Sequence, residues 1–172
     1  SSGSVFISKI IAHVLKQTKN INDWDGYGYC NNKGPISMNN IIIYHISQPS
    51  AAAKEYKWFT DLHRLKKIFK NYNLHFILCT RYHNISNISK AKKYKKPCKK
   101  LKKDLDRSRN ILSEIILKEK YFIWNYETML YLKHIYFQTL YKFLDTKSTF
   151  FPNNLIDGNK PYIKEKYAEY LI

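Results

Sequence analysis

Apolar residues in this chain fall into helical stripes and short continuous runs. Apolar spacing of three or four residues, together with flanking polar positions, predicts helices at several places: 5–15, 51–71, 85–94, 105–116 and 130–144. Continuous apolar runs predict buried strands at 40–46, 74–80 and 121–125. The segment 20–40 is predicted to be a loop, and the tail 148–172 to be irregular before a short last helix. Because strands alternate with helices, we expect a three-layer α/β/α domain with a central parallel sheet.

The composition is that of one globular domain. A chain of 172 residues with 44% hydrophobic and 16% aromatic residues can bury a core, and is too short for two comfortable domains. No apolar run is long enough to span a bilayer, and Val5–Ile11 lacks the pattern of a secretory leader. Cys30, Cys79 and Cys98 are odd in number and widely spaced, so they suggest no disulfide framework and fit a reducing, cytoplasmic compartment. A secretory lumen is the alternative if the chain is truncated at its amino end. Neither these cysteines nor the histidines show metal-ligand spacing, so no metal site is expected.

The formal net charge of +17 favours anionic ligands, which include nucleic acids, sulfated glycans and polyphosphate nucleotides. The excess is mostly lysine, accompanied by many Asn, Ile and Tyr residues, and codon drift in an AT-rich genome produces the same bias. The basic run Lys90–Lys103 is typical of a solvated surface. Together with the 15 tyrosines, it also supports a non-enzymatic alternative, a basic protein that binds nucleic acid or another polyanion.

The strand predicted at 74–80 is followed directly by Arg81, and Ser89 lies eight positions later in the next predicted helix. Ligands of open α/β sheets bind at the carboxyl ends of the strands. A guanidinium there can grip an anion with two parallel hydrogen bonds, and Ser89 can donate from the other side. The alternative is an ion pair between Arg81 and a carboxylate, although the nearest acidic residues in sequence are distant.

Ser2-Gly3-Ser4 opens the first predicted helix, as a phosphate-binding loop would. Glycine lets the backbone approach an anion, serine hydroxyls donate hydrogen bonds, and the start of a helix presents unpaired N–H groups. The strand that precedes the loop in a strand–loop–helix phosphate cradle would lie before Ser1. The alternative is that Ser1–Ser4 is a cloning remnant. A P-loop kinase would end this loop in Gly-Lys-Ser/Thr, and Ser4-Val5-Phe6 does not fit that pattern.

These segments resemble, in the same order, those of sulfotransferases that use 3′-phosphoadenosine-5′-phosphosulfate (PAPS). The spacing of Arg81 and Ser89 is similar to the family's 3′-phosphate site. Tyr126-Glu127 after a strand, Leu140-Tyr141-Lys142-Phe143-Leu144 and the tail Asp157-Gly158-Asn159-Lys160 resemble its carboxyl-terminal signature. The resemblance covers nearly the whole chain, which would be a single sulfotransferase-like domain over 1–172. The Arg-Lys-Gly nucleotide clamp of cytosolic family members is absent.

The resemblance implies a P-loop-like sulfotransferase fold and transfer of a sulfuryl group from PAPS to a hydroxyl or amine, leaving adenosine 3′,5′-bisphosphate. Ser2, Gly3 and Ser4 would hold the 5′-phosphosulfate, while Arg81 and Ser89 would hold the 3′-phosphate. A nucleic-acid partner is not expected under this interpretation, and a glycan is one acceptor that the lysine-rich surface would tolerate.

The segment Ile41–Pro49 is similar to the family's strand that runs into a Lys-x-His-x-Pro turn, which makes His45 the candidate general base. Ile43 replaces the family's Lys, and the proline is displaced by two residues. The alternative role for His45 is a strand-end histidine bonded to backbone, and Glu55 is the second candidate base. Tyr126 and Glu127 are expected to anchor the strand end by hydrogen bonding, and Tyr131, Ile135 and Tyr141 to lie in the core.

Overall fold

The computed structural model describes residues 3–18, 36–38, 41–43, 62–82, 85–86, 88, 109 and 111–160. In chain order the elements are α1 (Ser4–Thr18), β1 (Ile36–Met38), β2 (Ile41–Ile43), α2 (Leu62–Ile68), β3 (Phe76–Thr80), the helical run 111–118 (α3), β4 (Tyr121–Asn125) and α4 (Tyr126–Phe143). Residues 85, 86 and 88 also have helical backbone. The described part of the chain is therefore a mixed α/β structure, in agreement with the sequence-based expectation.

The parallel strand pair predicted from the sequence is present. β3 pairs with β4 in parallel, with Phe76 opposite Tyr121 and Thr80 opposite Asn125. The strand predicted at 121–125 has its predicted bounds, and the strand predicted at 74–80 begins two residues later. Both strands end at the same edge of the sheet because parallel strands run in the same direction. Arg81 and Tyr126, the residues that follow them, are thereby brought to one edge.

The prediction for the strand at 40–46 is wrong in its pairing. β2 forms an antiparallel pair with β1, in which Met38 lies opposite Ile41. β1 itself lies in the segment predicted to be a loop. The two residues between the strands are Asn39 and Asn40, and asparagine is favoured in two-residue hairpin connections. The Gly, Pro and Asn content of this segment predicted a loop, and it did not indicate that β1 would pair with β2.

The main core lies between α1, α4 and one face of the parallel sheet. α1 buries Ile7, Ile11 and Val14 because apolar residues at this spacing form one stripe along a helix. These residues form a cluster with Trp124 of β4, which is fully buried, and with several residues of α4: Met129, Phe137, Leu140 and Tyr141. Trp124 stacks on Tyr136 with ring centroids 5.0 Å apart.

A second, smaller core lies against the opposite face of the same strands. Leu62 of α2 and Ile111 and Ile115 of α3 form a cluster against which Phe76, Leu78 and Tyr121 pack. The intervening residues Ile77 and Cys79 pack against the main core instead. This alternation is what a strand requires when both faces of its sheet are covered, since successive side chains point to opposite faces.

The helix predicted at 130–144 begins earlier, at Tyr126, and contains a kink at Lys133, where φ is 46° and ψ is −121°. The prediction that Tyr131, Ile135 and Tyr141 share a core-facing stripe is wrong. Tyr141 is buried, but Tyr131 and Ile135 are 84% and 66% exposed. With 3.6 residues per turn, intervals of six and ten residues do not return to the same side of a helix. The buried stripe of α4 runs instead through Met129, Phe137, Leu140 and Tyr141.

The described tail, 144–160, contains no α-helix or strand beyond the end of α4, as predicted for this segment. It is nevertheless fixed to the core, since the hydroxyl of Tyr141 donates to the carbonyl of Phe150 at 2.9 Å. Phe151 packs edge-on against Phe137, with ring centroids 5.4 Å apart. The tail therefore returns along the core towards the carboxyl edge of the sheet. No helix among the described residues has the length and apolar character needed to cross a membrane.

Candidate functional site

The carboxyl ends of β3 and β4 are clasped together by side chains. The Asn125 amide donates from Nδ2 to Thr80 Oγ1 at 3.1 Å. Its Oδ1 accepts from the backbone N–H of Thr128 at 2.8 Å, which makes Asn125 the N-cap of α4. Asparagine is a preferred N-cap because its side-chain oxygen satisfies an N–H that lacks a partner within the helix. Asn125 is thus the last residue of β4 and the N-cap of α4, and it also holds the end of β3, the strand that Arg81 follows.

The hydroxyl of Tyr136 reinforces the same junction. It donates to the carbonyl of Ile123 at 2.5 Å and accepts from the N–H of Asn125 at 3.0 Å. These are the two backbone groups that a residue of a neighbouring parallel strand would contact. Burial raises the pKa of Tyr136, while the hydrogen bond from Asn125 lowers it, so the hydroxyl keeps its proton at neutral pH.

Arg81 lies directly after β3, where the sequence predicted an anion-binding arginine. Its Nε donates to Asn159 Oδ1 at 2.6 Å, and its Nη2 donates to the carbonyl of Gly158 at 2.7 Å. The guanidinium carbon is 5.1 Å from the centroid of the Tyr126 ring, within the range of a cation–π contact. Both of these hydrogen-bond acceptors are uncharged.

Tyr126 connects three segments that are far apart in the sequence. Its ring lies against Gly3, and a β-carbon built on that glycine would be only 2.8 Å from Tyr126 Cδ2. Its hydroxyl accepts from the N–H of Gly158 at 2.8 Å and donates to the carbonyl of Ile156 at 3.2 Å. Together with the contact to Arg81, these interactions bring the glycine turn, the strand-end arginine and the tail around one aromatic ring. We call this set the Tyr126 cluster: Gly3, Arg81, Tyr126, Glu127, Gly158 and Asn159.

Gly3 forms a tight turn in a backbone conformation that residues with a side chain rarely adopt. Its φ is +74°, in the left-handed region that glycine adopts without steric cost. The carbonyl of Gly3 accepts the hydrogen bond from Ile7 N at 3.0 Å that opens α1. The turn therefore presents the start of a 15-residue helix, with Ser4 as its first residue, beside the Tyr126 cluster.

Glu127 completes the cluster. Its Oε1 accepts from Asn159 Nδ2 at 2.8 Å and from the backbone N–H of Tyr82 at 3.1 Å. The predicted anchoring role of Tyr126 and Glu127 is confirmed, because both tie the strand end to the tail or to the residue after Arg81. The carboxylate holds the backbone next to the arginine, while the side chain of Asn159 lies between the carboxylate and the guanidinium.

Of the predicted site residues, Gly3, Ser4 and Arg81 belong to the described residues and lie at the same end of the sheet. Ser2, Ser89, His45 and the second candidate base Glu55 lie outside the described residues. The sequence interpretation assigned no role to Gly158 or Asn159, although it noted them in the tail. The available signal was the Asp-Gly-Asn turn itself, which indicates tight backbone geometry but not its partner.

Within the described part of the chain no group of acidic, histidine or cysteine side chains could hold a metal ion. Cys79 of β3 is half-buried against the main core, and burial raises the pKa of its thiol to about 12. A thiol with so high a pKa keeps its proton at neutral pH, which disfavours a nucleophilic role. Comparisons with protein-family models, with curated proteins and with solved structures found no significant match.

Proposed function

We propose that this protein is a PAPS-dependent sulfotransferase with a three-layer, P-loop-like fold. The observation that carries the proposal is the shared contact of Gly3 and Arg81 with the ring of Tyr126. A glycine turn that opens a helix and an arginine that ends a neighbouring strand are the two anion-binding elements that PAPS requires. Their meeting at one sheet edge supports a single ligand with two anionic groups.

The distribution of the two cores supports the three-layer arrangement. Alternate side chains of β3 pack against different clusters, one formed with α1 and α4 and the other with α2 and α3. A parallel sheet covered on both faces binds its ligands at the carboxyl ends of the strands. The Tyr126 cluster lies at that edge.

In the proposed site, Gly3, Ser4 and Ser2 bind the 5′-phosphosulfate through backbone N–H groups and hydroxyls. Arg81 and Ser89 bind the 3′-phosphate. The positive end of the α1 dipole favours an anion at the glycine turn, and guanidinium bonds to phosphate are charge-assisted. Because Arg81 and Ser89 bind the 3′-phosphate, the protein would bind this nucleotide more tightly than one that carries only a 5′-phosphate.

The proposed reaction is an in-line displacement at sulfur. The acceptor oxygen or nitrogen forms a bond to sulfur while the bond between sulfur and the bridging oxygen of the 5′-phosphate breaks, and the electron pair of that bond remains on the bisphosphate. The acceptor proton passes to His45 as general base, with Glu55 as the second candidate. Such a reaction depends mainly on positioning and on stabilising the leaving charge.

The acceptor is proposed to be a hydroxyl or an amine, and a carbohydrate fits the positive net charge of the chain. Lys160, which follows Asn159, is exposed at the edge of the Tyr126 cluster. A cation there is compatible with an acidic acceptor, since it would attract a negatively charged glycan to the mouth of the site.

The first experiment compares two nucleotides by thermal denaturation of the whole chain. Adenosine 3′,5′-bisphosphate is expected to raise the melting temperature clearly more than AMP at the same concentration, because a ligand stabilises the state it binds. Equal shifts from both nucleotides, or no shift from either, would contradict the proposal. A general polyanion binder would instead respond to both, with a response that disappears as salt is raised.

The second experiment removes the arginine. Arg81→Ala is expected to weaken adenosine 3′,5′-bisphosphate binding by about 2–4 kcal/mol, which lies within the range for truncating one partner of a charged, hydrogen-bonded pair. Arg64→Ala, which removes the same charge from an exposed position of α2, is the matched control. Calorimetry that finds equal affinities for a folded Arg81→Ala variant and the control would remove Arg81 from the site.

A further inference from the structure

Asn159 is one of the two buried polar side chains among the described residues, with 4% of its surface exposed. Its side-chain amide joins Arg81 to Glu127, and its backbone N–H bonds to Asp157. Oδ1 accepts from Arg81 Nε at 2.6 Å, Nδ2 donates to Glu127 Oε1 at 2.8 Å, and the backbone N–H donates to Asp157 Oδ1 at 2.8 Å. A buried amide is tolerated only when its donors and acceptors are satisfied, and here they are satisfied by the groups around Arg81.

These contacts determine the orientation of the guanidinium. Nε and Nη2 lie on one edge of the planar group, and that edge is held by Asn159 Oδ1 and by the carbonyl of Gly158. The ring of Tyr126 supports the group at 5.1 Å. Two hydrogen bonds along one edge and a ring contact together restrict both the rotation and the plane of the guanidinium.

The other end of the Asn159 amide is equally fixed. Glu127 Oε1 accepts from Asn159 Nδ2 and also from the backbone N–H of Tyr82, the residue after Arg81. Glu127 thus holds the Arg81 side chain indirectly, through Asn159, and the backbone after Arg81 directly, through Tyr82 N–H. A shift of the Asn159 amide would therefore disturb the arginine and the carboxylate together.

We propose that Asn159 is a positioning residue, which holds Arg81 in the orientation that a nucleotide 3′-phosphate requires. The proposal rests on the proposed function, because it assigns Arg81 to that phosphate. Hydrogen bonds between a guanidinium and a phosphate are directional, and an arginine that is already ordered loses less conformational entropy when it binds. Asn159 contributes this order and does not itself contact the nucleotide.

The test measures the affinities of adenosine 3′,5′-bisphosphate and AMP for each variant by calorimetry. Asn159→Ala is expected to weaken bisphosphate binding by roughly tenfold to a hundredfold, the range for loss of a hydrogen bond to a charged group. AMP lacks the 3′-phosphate, so its affinity is expected to change by less than about twofold. The matched control is Asn154→Ala, an identical change at an exposed position of the same tail, which should leave both affinities unchanged.

A second variant, Asn159→Asp, keeps the size of the side chain and an oxygen that can accept from Arg81. It also introduces a carboxylate 2.6 Å from Arg81 Nε, at the position of Asn159 Oδ1, and beside Glu127. Asp lacks the Nδ2 donor and repels Glu127, which is expected to displace the side chain that holds Arg81. The affinity for the bisphosphate is therefore expected to fall relative to that for AMP. Because this change is nearly isosteric, it tests the proposal even where Asn159→Ala does not fold.

The ratio of the two affinities separates positioning from a purely structural role. Loss of fold stability alone would lower both affinities together or neither, whereas loss of Arg81 positioning lowers only the preference for the 3′-phosphate. An unchanged ratio in Asn159→Asp and in folded Asn159→Ala would overturn the inference and leave the proposed function intact. A wild-type protein with no preference for the bisphosphate would instead overturn the proposed function, and the inference with it.

Discussion

Gly3 and Tyr126 lie so close together that no side chain fits between them. An ideal β-carbon on Gly3 would be 2.8 Å from Tyr126 Cδ2 and 3.4 Å from Cε2. The first distance is shorter than any ordinary carbon–carbon contact, and the ring is held in place through its hydroxyl by the tail. The amino end of α1 and the amino end of α4 are thereby packed against each other beside Arg81.

Gly3→Ala is therefore expected to destabilise the fold by roughly 1–3 kcal/mol, from the positive φ together with the clash. The measurement is urea denaturation. Gly158→Ala is the comparison, because its φ is not in the left-handed region and its β-carbon would lie 3.0 Å from the Tyr126 hydroxyl and 3.9 Å from Cζ, a milder clash. A Gly3→Ala variant as stable as the wild type would mean that the turn does not rest on Tyr126.

Tyr126→Phe keeps the ring under Arg81 and removes the hydroxyl that contacts the tail. Two hydrogen bonds are lost, one from Gly158 N and one to Ile156 O. Each typical hydrogen bond contributes about 1 kcal/mol, so a loss of roughly 1–2 kcal/mol is expected. Hydrogen exchange should show the effect in the tail, where the Gly158 amide is expected to lose protection while the amides of β3 keep theirs. Uniform loss of protection, or none, would contradict a local role.

Features of the fold that depend on neighbouring residues could be predicted from the sequence, whereas contacts between distant segments could not. The bounds of β4 were predicted because an uninterrupted apolar run, Tyr121–Trp124, is a local signal that a buried parallel strand also requires. The β1–β2 pair was not predicted, since strands of three residues contain too few positions for a period to emerge.

The candidate site shows the same limit. Arg81 was identified from its position after a strand, and its location at the sheet edge agrees with that prediction. Its bond to Asn159, however, joins residues 78 positions apart. No local pattern specifies such a pair, because it is created by the tail folding back along α4 and the core. The position of Arg81 after a strand could be predicted locally, whereas its contacts with Asn159 and Gly158 could be found only from the structure.

Asn125 is expected to be the most sensitive polar position of the strand–helix junction. Asn125→Ala removes the acceptor of Thr128 N and the donor to Thr80 Oγ1. Loss of an N-cap costs about 0.5–2 kcal/mol, and loss of the clasp between the strands adds to it. Asn125→Asp retains the capping oxygen and loses only the Nδ2 donor, so it should recover most of the stability in chemical denaturation. Equal losses for both variants would show that the cap is not the main contribution.

Cys79 makes the stability of the fold depend on pH in the alkaline range. Burial raises the pKa of its thiol from the ordinary value of 9.0 to about 12. Above about pH 9 the unfolded chain releases this proton more readily than the folded chain, so the folded state binds more protons. Stability from this group is therefore fully present below 9.0 and is lost as the pH rises towards about 12. Burial also raises the pKa values of Tyr136 and Tyr141, which act in the same direction at higher pH.

Cys79→Ala is expected to make the alkaline loss of stability shallower. The free energy of unfolding would be measured by urea denaturation at several values between about pH 8 and about pH 10, where the thiol dominates and tyrosine contributes less. Truncation of a packed side chain lowers the stability at every pH by a similar amount, so the slope and not the absolute value is the result. If the variant and the wild type lose stability with the same slope, Cys79 is exposed to solvent in solution and does not pack between the sheet and the main core.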